Sequence, residues 1–373
     1  MHPAFRWFFV LACVVPSMAM GQDTVESGPA IVSQEALESL VRDHPLFSGG
    51  AIVAQDGEVV ASVHTGYSDL RSGKRNDDRT LYSVASVGKM FTAVAIAQLV
   101  EANKLSYESA VVDLLPELDG RVSDAVTIDH LLHHTSGIER ISRVDDSTLD
   151  ALESNADYYS LIVAQGIGSD GPAEFSYANE NYQILGQIIE RVSGQPYATY
   201  IRDNISTPAG MAGPVFVRRD RANVEEIARN YMSVDFETWW RSEEPIQATS
   251  VDEFLHLAPV ATPSAGGGAY VTAMDMIRFA SALRKGTLIS RQSFESMCAL
   301  SSEDGKSGRG YGRGCSVSPD SEGSRFGHTG STAGVQARFF MYWNREVDVI
   351  VLSNHDEQAA PLFRDIDDLI RVD

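Results

Sequence analysis

Cysteine is scarce in this chain: three residues in 373, at positions 13, 298 and 315. That excludes a disulfide-dense scaffold, and no histidine cluster accompanies the cysteines at zinc-binding spacing, so no metal site is expected. Positive charge is also in short supply, with 30 Lys and Arg against 51 Asp and Glu and a formal net charge of −21. Such a surface disfavours nucleic acid and anionic lipid as partners. No apolar run is long enough to span a bilayer as a helix. Internal repeats and low-complexity linkers are missing too, which excludes solenoids and tethered arrays.

The first residues read as a secretion signal. His2 and Arg6 precede an apolar run from Phe8 to Val15, and Ala19-Met20-Gly21 offers small residues for cleavage before Gln22. A lipoprotein-type box at Val10-Leu11-Ala12-Cys13 competes, but the apolar run before Cys13 is short. Export to the periplasm or medium is therefore expected, with residues 1–21 removed. Loss of Arg6, the one charged residue in that segment apart from the chain terminus, takes the formal charge from −21 to −22. In an exported protein Cys298 and Cys315 suggest one disulfide, with two free buried thiols as the alternative.

The mature chain is long enough for one elaborate domain or two interleaved ones. Ser33 to Asp43 has a helical pattern, and Ala51–Ala54, Asp56-Gly57 and Val59–Val63 read as a hairpin with a primed turn. From about 105 to 260 helical patterns dominate, among them Thr127–Leu132, Leu149–Val163 and Tyr182–Val192. Trp239-Trp240 fits ordinary packing or a substrate-lining role. Strand character returns with Val335–Tyr342 and Val347–Leu352, after a helix from Thr272 to Leu283, and a helix carrying Leu362, Ile366, Leu369 and Ile370 closes the chain. This order predicts an α+β fold: an antiparallel sheet built from both termini, residues 22–90 and 263–373, interrupted by a mostly helical region, 91–262.

The chemistry concentrates in Leu81–Val100. After Gly88-Lys89 the stretch is apolar on nearly every side, so the helix should be buried. Ser86 and Lys89 lie three positions apart, close enough on a helical path for the amine to reach the hydroxyl. Burial lowers a lysine pKa and makes the amine a base. Helix capping by Ser86 with a snorkelling Lys89 is the structural alternative. Two further motifs stand apart from this one. Phe175-Ser176-Tyr177-Ala178-Asn179 precedes the 182–192 helix as a loop; a tyrosine near a lysine can have a depressed pKa and pass protons, and an asparagine amide can hold a carbonyl. Phe326-Gly327-His328-Thr329-Gly330-Ser331 offers glycines for close backbone approach and a threonine hydroxyl for a carboxylate.

Ser86-Val87-Gly88-Lys89, Tyr177-Ala178-Asn179 and His328-Thr329-Gly330, in that order, resemble the three motifs of the penicillin-recognising serine hydrolases. The likeness is to the class C β-lactamase-like branch, which includes D-alanyl-D-alanine carboxypeptidases, D-aminopeptidases and esterases. Leu131–Gly137 and Gly266–Thr272 also resemble family segments, so the likeness covers roughly residues 35 to 370. It implies Ser86 as the nucleophile of an acyl-enzyme, with Lys89 and Tyr177 sharing the proton transfers. Asn179 would contact the acyl side, His328 and Thr329 would line the pocket, and the backbone N–H groups of Ser86 and Ser331, beside Gly330, would form an oxyanion hole. His133 and His134 would be structural.

The branch's dedicated β-lactamases carry lysine where His328 stands. Histidine is mostly neutral near pH 7, so the expectation is an exported hydrolase of esters, amides or D-amino-acid peptide bonds, with preference for carboxylate-bearing substrates rising only as the imidazole protonates near 6.5. A true class C β-lactamase, or a penicillin-binding sensor that stays acylated, are the competing readings. No cofactor is implied, the partner is a small-molecule or peptide substrate, and the oligomeric state is left open.

Overall fold

The architecture follows from two hairpins at opposite ends of the chain that meet edge to edge. In a computed structural model, which describes residues 31–372 apart from 142–145, 219, 221–223, 243–245, 247, 260–261, 301–309 and 321, strands β1 (Gly49–Gln55) and β2 (Glu58–Thr65) flank Asp56 and Gly57. Both turn residues have positive φ, 54° and 81°, the primed geometry whose twist matches paired strands. Near the C-terminus β3 (Gly310–Tyr311), β4 (Ser316–Asp320), β5 (Gly323–Thr332), β6 (Val335–Tyr342) and β7 (Val347–Ser353) follow in succession. The seven strands form one antiparallel sheet in the order β2-β1-β7-β6-β5-β4-β3. β1 docks on β7 with Val53 opposite Val349, so both termini build the sheet, as the sequence pattern predicts.

Alternation along the strands supplies a different core to each face. On one side α1 (Gln34–Asp43) packs with the closing helix Ala359–Val372 over Val53, Phe340, Tyr342 and Val349. Ser33 caps α1 by accepting the N–H of Ala36, and Leu37 and Val41 point inward. Leu369 is the exception in the closing helix: it is 38 % exposed rather than on the core face. On the opposite face Ile52, Phe339 and Ile350 belong to one buried core with α2 (Lys89–Glu101). Of its 13 residues only Gln98, Val100 and Glu101 are not buried, which explains the absence of a polar stripe. The same core continues into the helical region through Leu131, Ile162 and Ile188.

Two helix boundaries differ from the pattern in the sequence. The stretch expected as one helix over Leu149–Val163 is two, Asp146–Ala151 and α3 (Asn155–Ala164). Ser154 breaks it by capping: its hydroxyl accepts the Asp157 N–H while Asp157 accepts from Ser154. The helix expected from Tyr182 begins earlier, as α4 (Asn179–Ser193), so Asn179 stands on a rigid element and not in a loop. Gly194, at φ 73°, ends it. Thr272 caps α5 (Ala273–Arg284) in a capping box with the buried Asp275.

Cys298 and Cys315 are joined in a disulfide that ties the end of the helix Arg291–Met297 to the start of β4. Residues 1–21, which the sequence leads one to expect as a secretion signal, lie outside the described residues. Among those described, no helix is long and apolar enough to cross a membrane.

Candidate active site

Ser86 lies in a 3₁₀ turn, Ala85–Gly88, that leads directly into α2. Ala85 before it has φ 44°, a conformation that non-glycine residues adopt at a cost and that surrounding structure must hold. Two backbone braces hold it. From one side Ala85 O accepts the Gly268 N–H at 3.0 Å, and Val84 N–H donates to Ala269 O at 2.9 Å. From the other, β5 approaches so closely that a Cβ on Gly330 would lie 2.3 Å from Val84 O and 3.2 Å from Ser86 N. Gly267 is equally constrained, since its Cβ would meet Ala85 O at 2.5 Å. The glycines at these positions therefore serve close approach of backbones around the serine.

Lys89, the first residue of α2, is fully buried. Its Nζ is 2.6 Å from Asn179 Oδ1, 2.5 Å from Gly266 O and 3.4 Å from Ser86 Oγ. Burial pulls its pKa down to about 7, against a smaller upward pull from Glu180. A neutral amine has two N–H groups, and two carbonyl acceptors are in place for them. The nitrogen lone pair is then left for the Ser86 hydroxyl, the arrangement a general base requires.

Tyr177 sits over this pair, with Lys89 Nζ 4.8 Å from its ring centre. Its pKa departs from the sequence expectation of a depressed value. Burial pushes the phenol up to about 12, outweighing a hydrogen bond with Ser86 that pulls the other way. Near neutral pH Tyr177 is thus a neutral hydroxyl, able to donate or relay a proton. Arg140 donates to the Tyr177 main-chain carbonyl.

His328 also behaves differently from the sequence expectation of a group titrating near 6.5. It is only 3 % exposed; burial, then the nearby Lys89, lowers its pKa to about 3. Its Nδ1–H donates to Thr329 O at 2.5 Å, and Nε2 accepts from the Tyr311 hydroxyl at 2.9 Å. Both ring nitrogens are therefore engaged and the imidazole is neutral. Thr329 and Ser331 are exposed on β5, and Ser331 borders the cleft beside Ser86.

Two residues contribute here that the motifs did not single out. His134, at φ 58° and 1 % exposed, accepts the Ala178 N–H on Nδ1 at 3.2 Å and packs its ring 4.3 Å from that of Tyr177. It is a positioning residue for Tyr177, whereas His133 pairs with Asp129 away from it. Tyr311 holds His328; its only sequence signal is an aromatic flanked by Gly310 and Gly312. Trp239 stacks on Phe236 and does not border the cleft.

The cleft at Ser86 has a volume of about 220 Å³ and is bordered by Tyr158, Asn179, Gln183, Thr262 and Ser331. Among the described residues its lining contains no carboxylate and no cation. A larger groove, about 540 Å³, lies between the β1–β2 turn and α5, but it contains none of these paired groups. Paired chemistry, not volume, identifies the smaller cleft as the candidate site.

A sheet closed from both termini, a buried helix headed by a serine–lysine turn, and a tyrosine and a strand closing over it define the penicillin-recognising serine hydrolase class. The chain belongs to the Beta-lactamase family, whose model matches residues 34–371. It is 29 % identical over 334 residues to penicillin-binding protein 4* of Bacillus subtilis, covering 87 % of this chain and 72 % of that one. Esterase EstB of Burkholderia gladioli is 29 % identical over 270 residues, 66 % of this chain and 68 % of the esterase. Among solved structures, a penicillin-binding protein from Bacillus halodurans superposes with a TM-score of 0.74 at 25 % identity, covering 89 % of this chain and 99 % of that one. The chain is thus a member of a serine hydrolase family of the β-lactamase type.

Proposed function

We propose that this protein is an exported serine hydrolase that forms an acyl-enzyme on Ser86 and acts on neutral esters, amides or D-amino-acid peptide bonds in preference to β-lactams. The observation that carries this reading is Lys89 Nζ held between Asn179 Oδ1 and Gly266 O and facing Ser86 Oγ. Ser86 Oγ attacks the substrate carbonyl and its proton passes to neutral Lys89. The main-chain N–H groups of Ser86 and Ser331 stabilise the oxyanion, a contribution typically worth about 3–4 kcal/mol per donor. The lack of a side chain on Gly330 is compatible with that role for its neighbour Ser331, because a Cβ there would lie 3.2 Å from Ser86 N.

Collapse of the tetrahedral intermediate expels the alcohol or amine, which takes a proton relayed through Tyr177. Water then attacks the acyl-enzyme, its proton returns by the same groups, and Ser86 is freed. Asn179 serves twice, orienting Lys89 and bordering the acyl side of the cleft. The uncharged lining and the neutral His328 favour uncharged substrates, and the esterase among the relatives agrees with ester turnover.

The test is labelling by a fluorophosphonate probe together with turnover of p-nitrophenyl acetate. Wild type is expected to show both, and Ser86→Ala neither, with an unchanged circular dichroism spectrum. Labelling that persists in Ser86→Ala, or that maps to another serine, overturns the assignment. Penicillin acylation without deacylation, seen by intact mass, would replace hydrolysis with a binding role.

A further inference from the structure

Lys89 has no counter-ion for the proton it would take from Ser86. Among the described residues it forms no ion pair, yet its ammonium form would sit wholly inside the core. Few titratable groups face it. Ser86 stands on its own turn, Glu180 on α4, Tyr177 just before α4, His134 after the helix Ile128–Leu132, and His328 on β5. Burial, then the charge of Lys89, keeps both imidazoles neutral. Glu180 acts only through space, its carboxylate accepting the Ile141 N–H at 2.9 Å. A carboxylate in contact would hold the proton on Lys89 permanently, whereas burial with no compensation would stop the amine from accepting it at all.

Tyr182 supplies something between these extremes. It is the fourth residue of α4, and Lys89 Nζ lies over its ring, 5.4 Å from the centre. With Tyr177 at 4.8 Å, two aromatic faces are turned to one amine. The Tyr182 ring cannot swing away. It is fully buried, and its hydroxyl donates to Leu132 O at 2.9 Å. From the bridged loop Gly314, at φ 84°, closes on it: a Cβ there would lie 3.0 Å from the Tyr182 hydroxyl and 2.5 Å from Ala93 Cβ. The face of an aromatic ring carries negative potential, and a desolvated ammonium within about 6 Å gains from it.

We infer that Tyr182 is a positioning residue for the base: its ring face, together with that of Tyr177, stabilises the ammonium form of Lys89 and so sets the pH at which the amine takes the Ser86 proton. The inference rests on the Ser86–Lys89 reading and deepens it. Its sign is fixed by the chemistry. Removing a face that favours the charged form lowers the pH at which Lys89 gives up its proton.

The test titrates Lys89 directly. The chain has five lysines, so carbon-13 labelling at lysine Cε gives few signals, and the one lost in Lys89→Met is assigned to Lys89. Wild type is expected to titrate near 7. Tyr182→Phe keeps the ring and loses only the bond to Leu132 O, so it should melt lower with an unchanged midpoint. Tyr182→Leu, which excludes water but has no ring face, should titrate about one pH unit lower. Tyr182→pentafluorophenylalanine keeps the shape while fluorine withdraws charge from the face, and should move the midpoint the same way even if the leucine variant does not fold. The pH profile of fluorophosphonate labelling at Ser86 should follow in each case. A midpoint that stays or rises in the folded leucine and fluorinated variants overturns the inference, as does a shift in Tyr182→Phe equal to theirs. If Ser86 labels in wild type while these midpoints do not move, only the role of Tyr182 fails; if Ser86 does not label at all, the hydrolase reading fails with it.

Discussion

Lys89 illustrates how one residue's environment sets its chemistry. Outside the fold its amine is protonated at neutral pH; at the head of a buried helix its pKa falls to about 7. In the proposed mechanism the neutral form is the base, so kcat/KM for a neutral ester should rise with pH through an inflection near 7 and flatten above it. Two units below the midpoint the rate should be down about 100-fold. Tyr177, held up near 12, adds no inflection below pH 10, and His328, held down near 3, adds none between 5 and 8. A pH profile of the His328→Gln variant should keep the midpoint near 7; a midpoint that disappears would transfer the titration to the histidine. For the same reason the ratio of ester to penicillin turnover should not change between pH 5 and 8 through this imidazole. The rise in carboxylate preference near 6.5 that the sequence implies is not expected from a histidine with both nitrogens engaged.

Among the elements, the 3₁₀ turn at Ser86 depends on its two neighbours for shape. The loop 266–269 and the end of β5 press on Val84 and Ala85 through backbone contacts with no room for a side chain. Gly330→Ala would place a methyl group 2.3 Å from Val84 O, so β5 or the turn must move. Overpacking of this kind typically costs about 1–3 kcal/mol. The expected result is a lower melting temperature and a fluorophosphonate labelling rate reduced at least tenfold, because Ser86 N moves with the turn. An alanine variant that labels at the wild-type rate would show that the backbone contact does not position the serine.

Considering the whole molecule, the sheet's last strands are secured from outside the sheet. The disulfide fixes the helix Arg291–Met297 to β4, and Arg313, within the bridged loop, donates to Asp129 Oδ1 at 2.5 Å. Tyr311 lies in the same loop and holds His328, so this staple reaches the site. The bridged residues are separated by 17 positions, and closing a loop of that size is worth about 3 kcal/mol in the chain-entropy model. Cys298→Ala paired with Cys315→Ala should lower the melting temperature by roughly 5 °C or more, measured by calorimetry. Peptide mapping without reductant on protein folded in an oxidising compartment should find the two cysteines linked; two free thiols would refute the bridge.

Much of this was legible in the residues themselves. Asp56-Gly57 specifies a primed turn by local sterics, the apolar stretch from Met90 to Val100 specifies a buried helix, and Thr272 with Asp275 specifies a helix start. Each depends on neighbours a few positions apart, which the sequence displays directly. The Ser86–Lys89 spacing is local in the same sense, and it named the two groups before any coordinates did. What the tertiary structure decided is what those groups meet. Asn179 and Gly266, 90 and 177 residues away from Lys89, supply the acceptors that aim its amine. Tyr311 engages His328, and His134 seats Tyr177, through contacts between segments that no periodicity links. Protonation states belong to this second kind of information, because desolvation is set by everything packed around a group and not by its position in the chain. The sequence by itself determined most of the elements and the spacing of the proposed Ser86–Lys89 pair; only the assembled core decided which of the ionisable groups is charged.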